Sequence, residues 1–212
     1  MCNFTVCFCN IWLGWQDIYI RMNDHDIVKQ VINGNENAFR FLVQKHQRLV
    51  WHVVWRMVGK PDEIEDICQD VFMKVYKNIP RFRNESKLST WIASIAWNTC
   101  SDYLKKHTRD RLDLSETIPA KAELLMTDDA TWRMVHEKDM KAVVRKGVDQ
   151  LPLQYRTVLT LYYLEEFSYN EIEEITGMPE GTVKSYLNRA RKQLKEILEK
   201  ALPGEAQVFH RM

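Results

Sequence analysis

Lys184, Ser185, Asn188 and Arg189 fall at i, i+1, i+4 and i+5, which on a helix places all four on one side. Arg and Lys can grip guanine, and Asn adenine, by paired hydrogen bonds to a base edge. Val183, Leu187, Ala190, Leu194 and Leu198 interleave with them and are expected to face a core. This suits a helix laid in a DNA major groove, where phosphate contacts give affinity and a few side chains read bases. The residues just before agree with it. Ser168 and Glu171 have the spacing of a capping box at the start of a short helix, Thr176-Gly177 ends that helix, and Pro179 suits the opening of the next. Short helix, glycine turn and basic helix make a helix-turn-helix arrangement.

Other chemistries find little support. His25, His46, His52, His107, His136 and His210 are scattered, without HExxH or paired-ligand spacing. There is no glycine-rich phosphate loop and no G-x-S-x-G. No enzyme activity, cofactor or small-molecule substrate is expected. Five cysteines include no CxxC pair. Cys2, Cys7 and Cys9 could approach a metal, but no histidine lies near to complete four ligands. Cys68 and Cys100 lie within apolar helical patterns and read as reduced, buried thiols. A cytoplasmic, reducing location follows.

The elements that must position the basic helix are helical too. With 7 Gly and 6 Pro in 212 residues, and no convincing period-two alternation, the fold class is all-α. Ile27, Val28, Val31 and Ile32 make a short apolar face ending at Gly34. A longer face runs from Ala38 to Val58, with Gly59 and Pro61 as stop signals. Asp62 and Glu65 are placed to cap a third helix bearing Ile64, Ile67, Val71, Phe72, Val75, Tyr76 and Ile79, which Pro80 stops. Leu88 to Leu104 reads as a fourth helix. Periodicity weakens over residues 107–140, where acids outnumber bases seven to three between Asp113 and Asp139, the composition of a tether. The predicted organisation is an extension at 1–21, a helical domain at 22–108, a flexible linker at 109–140, a helix-turn-helix domain at 141–200, and a tail at 201–212.

Near-equal charge, 30 Lys+Arg against 29 Asp+Glu, argues at first against a nucleic-acid partner. The charges are sorted, however. Residues 37–61 hold five bases and no acid, 157–183 hold six acids and no base, and 184–200 hold six bases against two acids. Any single block reads equally as a solvated face; the last one coincides with the second helix of the helix-turn-helix.

The stretch D66-I-C-Q-D-V-F72, then F82-R-N-E-S-K-L-S-T-W-I-A-S-I-A-W-N98, resembles region 2 of the extracytoplasmic-function sigma factors. L151-P-x-x-Y-R, followed by S168-Y-N-E-I and G181-T-V-K-S, resembles region 4 of the same family. The resemblance implies binding to core RNA polymerase, recognition of the −10 and −35 promoter elements, help in opening the DNA, and control by an anti-sigma factor, often membrane-anchored. Carried over residue by residue, it assigns Asp66, Gln69, Asp70, Phe72 and Lys74 to polymerase binding. It assigns Arg83, Asn84, Ser86, Lys87, Ser89, Thr90 and Asn98 to the −10 element. Arg156, Lys184, Ser185, Asn188 and Arg189 are assigned to the −35 element. Phe72 reads equally as core or interface, Trp91 as a core anchor ahead of a stacking platform, and Trp97 as either packed inward or touching single-stranded DNA.

Residues 1–21 lack a positive n-region and a cleavage site, and Met22 opens a regular helical sequence, so Met22 is the expected natural start. Rival readings are a helix-turn-helix regulator that works without polymerase, an enzyme, and a module that binds only protein. The region 2 motif opposes the first, and the basic helix opposes the last.

Overall fold

The computed structural model describes residues 23–59, 61–112 and 137–201. The expected extension at 1–21 with Cys2, Cys7 and Cys9, the middle of the expected linker, and the tail beyond Ala201 lie outside them. Among the described residues there are eight α-helices, one 3-10 turn and no strand: α1 Asp24–Ile32, α2 Glu36–Val58, α3 Pro61–Asn78, the turn Ile79–Arg81, α4 Leu88–Leu112, α5 Glu137–Asp149, α6 Leu153–Tyr163, α7 Tyr169–Thr176 and α8 Glu180–Ala201.

Local chemistry accounts for many of the boundaries. Asn23 caps α1 by accepting from the Asp26 amide at 2.9 Å. Asn35 caps α2 by accepting from the Asn37 and Ala38 amides. Gly59 ends α2 in the left-handed region at φ 68°, a conformation that costs a Cβ-bearing residue. Pro61 begins α3 instead of extending the stop, because a first-turn position needs no amide donor. Asp62 therefore lies inside the first turn, where its charge favours the positive helix end, and is not the cap. The two helices bordering the acidic stretch reach further than their periodicity indicated, to Leu112 and from Glu137.

α2 is the axis of the first unit, with α1, α3 and α4 packed on it. Ile27, Leu42, Val50, Val53, Val54, Ile64, Ile92, Ala93 and Ala96 are all fully buried there. In the second unit α5, α6 and α7 pack on α8, around Val158, Leu161, Ile172, Val183, Leu187 and Ala190. Gly147 lets α5 approach α8 closely, since a Cβ there would lie 3.0 Å from Leu194 Cδ1. The two units also pack on each other, α6 against α2 and α7 against α4, and their buried residues form one continuous apolar core. Cys68 and Cys100 are free thiols within the first unit; burial, then Glu65 for Cys68 and the Cys68 sulfur for Cys100, pushes each up to about 12, so both stay protonated and unreactive.

Candidate nucleic-acid interface and partner surface

The helix-turn-helix is α7, a glycine turn and α8. Ser168 Oγ accepts from the Glu171 amide at 3.3 Å while the Glu171 carboxylate accepts from the Ser168 amide at 2.8 Å, completing the capping box. Gly177 closes α7 at φ 70°, and the Pro179 carbonyl accepts from the Thr182 and Val183 amides to start α8. Val183, Leu187, Ala190 and Leu198 are buried as the spacing demands.

Lys184, Ser185, Asn188 and Arg189 are correspondingly exposed together on the opposite side. Lys184 Nζ donates to Glu180 Oε1 at 2.6 Å and lies 5.4 Å from the Tyr169 ring centroid; that hydrogen bond and the Glu180 charge raise the ammonium pKa. Ser185 Oγ donates to the Gly181 carbonyl at 2.8 Å, which sets its orientation on the helix. Arg156 is not brought to this face. It lies beside α5 and the end of α2, donating to the Asp149 carbonyl at 3.5 Å and reaching within 3.8 Å of where a Gly59 Cβ would stand.

Arg191, one turn beyond Asn188, was not legible as part of this surface. Its guanidinium carbon stands 5.5 and 5.8 Å from the ring centroids of Tyr163 and Tyr162, geometry that favours a cation over an aromatic face. Tyr162 and Tyr169 stack at 5.2 Å. These aromatics lie on other helices, so spacing along α8 alone cannot find them.

The segment expected to read single-stranded DNA runs into α4. Arg83, Asn84 and Lys87 are exposed, Ser86 and Ser89 half-buried, and Asn98 exposed. Asn84 adopts φ 56° and its amide nitrogen contacts His25 Nδ1 at 3.0 Å. Asn tolerates this left-handed conformation better than most residues. Thr90 differs from the rest: it is 0% exposed, and its hydroxyl donates to Glu171 Oε1 at 3.4 Å. Trp91 packs against Phe82 at 5.2 Å and against the core, as expected of an anchor, and Trp97 is also packed inward.

On α3, Asp66, Gln69 and Asp70 share an exposed face, and Met73, 66% exposed, continues it at the next helical step. Tyr76 is exposed beyond Met73 and meets Phe39 edge-on at 4.8 Å. The i+3/i+4 spacing from Asp70 and Gln69 is the signal that identifies Met73. Phe72 is half-buried against the core, and Lys74 turns to α4 and donates to Thr99 Oγ1 at 3.1 Å. Lys74 is itself exposed, one turn after Asp70, with its ammonium directed toward α4.

Polar pairs also bridge the two units. His52 Nδ1 meets Glu165 Oε1, Arg56 meets Asp149, and Lys87 Nζ meets Glu171 Oε1 at 3.0 Å. Arg56 is 8% exposed; burial lowers its pKa and the Asp149 charge opposes that. In every pair the base or imidazole belongs to the first unit and the acid to the second.

These features define a two-part, all-α transcription factor of the sigma-70 kind: residues 42–110 match the family model for sigma-70 region 2, and residues 142–194 match that for sigma-70 region 4. The chain is 32% identical over 176 residues to the ECF RNA polymerase sigma factor SigW of Bacillus subtilis, covering 81% of this chain and 94% of that one. It is 32% identical over 185 residues to the RNA polymerase sigma-H factor of Pseudomonas aeruginosa, covering 84% and 95%. The fold is similar to that of the sigma factor RpoE of Bartonella quintana, solved in complex with the anti-sigma factor NepR, with a TM-score of 0.59, 24% identity, and coverage of 76% of this chain and 96% of that one. The chain belongs to the ECF RNA polymerase sigma factors. No helix among the described residues is long and apolar enough to cross a membrane.

Proposed function

We propose that this sigma factor directs core RNA polymerase to promoters by reading the −35 element with α8 and the −10 element with the segment from Arg83 through Asn98, and that it then assists DNA opening. The observation that carries this reading is the exposed α8 face of Lys184, Ser185, Asn188 and Arg189 on a fully capped helix-turn-helix. Their types suit base edges and phosphates of duplex DNA. Asn98 and the polar side chains before α4 suit a base that has left the stack, whose edge can then be hydrogen-bonded.

The polymerase partner meets α3. Asp66, Gln69 and Asp70 supply acidic and polar groups beside the exposed Met73 thioether, a surface matched to a basic, partly apolar helix. The organisation follows: a polymerase and −10 domain over 22–108, a linker over 109–140, and a −35 domain over 141–200. The protein works in the cytoplasm as a transcription factor and carries no catalytic centre. An anti-sigma factor is its expected inhibitor, in keeping with the Bartonella relative solved with one.

Run-off transcription with purified core polymerase on genomic fragments, followed by mapping of the start sites, tests the whole reading. Starts sharing two spaced elements upstream are expected. Transcription no different from that of core enzyme alone would refute it.

A further inference from the structure

The first turn of α1 is fastened at two points. Asp24 accepts from Lys45 Nζ of α2 at 2.5 Å, and Nδ1 of the next residue, His25, lies 3.0 Å from the Asn84 amide nitrogen. The amide nitrogen of an Asn can only donate, so His25 Nδ1 accepts and the ring proton sits on Nε2. α1 is itself held firmly. Ile27, Val28 and Val31 are buried, and the helix packs on α2 and on the 3-10 turn that leads to Asn84. His25 thus stands on a fixed element, whereas Asn84 stands on a loop.

That loop has little else to hold its middle. The Phe82 amide donates to the Ile79 carbonyl and the Trp91 amide to the Lys87 carbonyl, which fixes the two ends. Between them, residues 83–86 make no backbone hydrogen bond among the described residues. Arg83 and Glu85 lie 4.0 Å apart with side chains 82% and 78% exposed, a pairing that contributes little in water. Among the described residues, the bond from Asn84 to His25 is the one side-chain tie between residues 83–86 and the rest of the chain. It falls on the residue with the unusual backbone. Asn84 adopts φ 56°, a left-handed conformation that persists only where surrounding contacts hold it, and such conformations recur at ligand clamps.

We propose that His25 is a positioning residue for the −10 element: by accepting from the Asn84 carboxamide it holds the left-handed turn that presents Arg83, Asn84 and Ser86 to an unstacked base. This rests on the assignment of that segment to the −10 strand. His25 need not touch DNA. Its effect is preorganisation: without the bond the loop samples other turns, and the binding-competent one has to be selected from them. The bond uses one N–H of Asn84 and leaves its carbonyl oxygen for the nucleotide.

The test uses holoenzyme reconstituted from the full-length chain and core polymerase, on a promoter mapped by run-off transcription. Opening is followed by the permanganate reactivity of unpaired thymines, and polymerase affinity is measured beside it. His25→Ala is expected to slow opening about two- to fivefold, the worth of one exposed hydrogen bond, with polymerase affinity unchanged. Asn84→Gly tolerates the same backbone conformation and lacks the carboxamide. In that background His25→Ala should cost nothing further. His25→Asn offers an oxygen near the position of Nδ1 and should recover most of the loss. Opening at the wild-type rate in His25→Ala would overturn the proposal, and so would losses that multiply in the double variant or an equal loss of polymerase affinity. Asn98→Ala, on the exposed face of α4, separates that failure from failure of the −10 assignment. If Asn98→Ala opens poorly while His25→Ala is normal, the assignment stands and only the role of His25 falls; if both open normally, the assignment falls too.

Discussion

Arg191 Nε donates to the Tyr163 hydroxyl over 2.7 Å, tying the middle of α8 to the last residue of α6. The bond spans 28 positions of sequence and fixes how the basic helix sits on the helix behind it. Tyr163 is 52% exposed, so water competes and the gain is modest. Tyr163→Phe keeps the ring under the guanidinium and removes only the acceptor. It should lower stability by about 0.5–1 kcal/mol, read as a shift in urea midpoint with unchanged slope.

Ser168→Ala removes the side-chain half of the capping box at the start of α7. A loss of about 1 kcal/mol is expected. Ser168→Asp, which can cap in the same way, should recover most of it in the same denaturation assay.

Acid should destabilise the chain in two stages. His46 is 5% exposed; burial first, then the Lys45 charge, lowers its pKa to about 4 despite Asp24. A folded pKa below the unfolded 6.5 means that folding favours the neutral ring. Its contribution is complete above about pH 6.5 and is lost as the pH falls toward 4, about 2 kcal/mol by pH 5 and about 3 kcal/mol in all. His46→Gln should flatten the stability profile over that window. Glu171 acts lower. Burial raises its pKa, but the Ser168 amide and hydroxyl and Lys87 outweigh that and hold it at about 2, so its contribution is present above about pH 4.5 and disappears as the pH falls from there toward 2.

Arg189→Glu should abolish promoter-specific transcription and leave core polymerase binding intact, because Arg189 is exposed on α8, away from α3. Lys184→Gln should weaken duplex binding more uniformly across sequences and reduce the slope of log affinity against log salt by about 1. Run-off transcription and a polymerase pull-down check the first, and titrations of full-length protein against promoter duplex at several salt concentrations check the second. A salt-independent affinity would exclude α8 as the DNA surface.

Met73→Ala and Asp70→Lys should do the converse, weakening association with core polymerase while duplex binding is unchanged. Met73 is 66% exposed, so its truncation costs little folding free energy, and any loss in a polymerase pull-down reports on the contact itself.

The helices and the helix-turn-helix were legible in the sequence because their causes are local. Spacing of three and four residues places Val183 and Leu187 inward and Lys184 and Arg189 outward whatever surrounds them. Ser168, Glu171 and Gly177 start and stop α7 within a single turn of chain. Boundaries shifted where one residue has two local uses, as at Pro61, which can follow one helix or open the next. The family resemblance grouped Lys74 with Asp66, Gln69 and Asp70, and Arg156 with the residues of α8, whereas the Lys74 ammonium reaches Thr99 on α4 and the Arg156 guanidinium reaches the Asp149 carbonyl on α5.

Sequence by itself determined an all-α chain with a basic reading helix, and the near-balance of 30 bases against 29 acids hid that helix only when summed. Tertiary structure alone decided what the charge blocks meet. His52 and Glu165 are 113 positions apart, and Arg56 and Asp149 are 93 apart. A helical period carries no information across such a gap. Which acid lies beside which base depends on the way two preformed helical units bury their remaining apolar faces against each other, and that is a property of their shapes together.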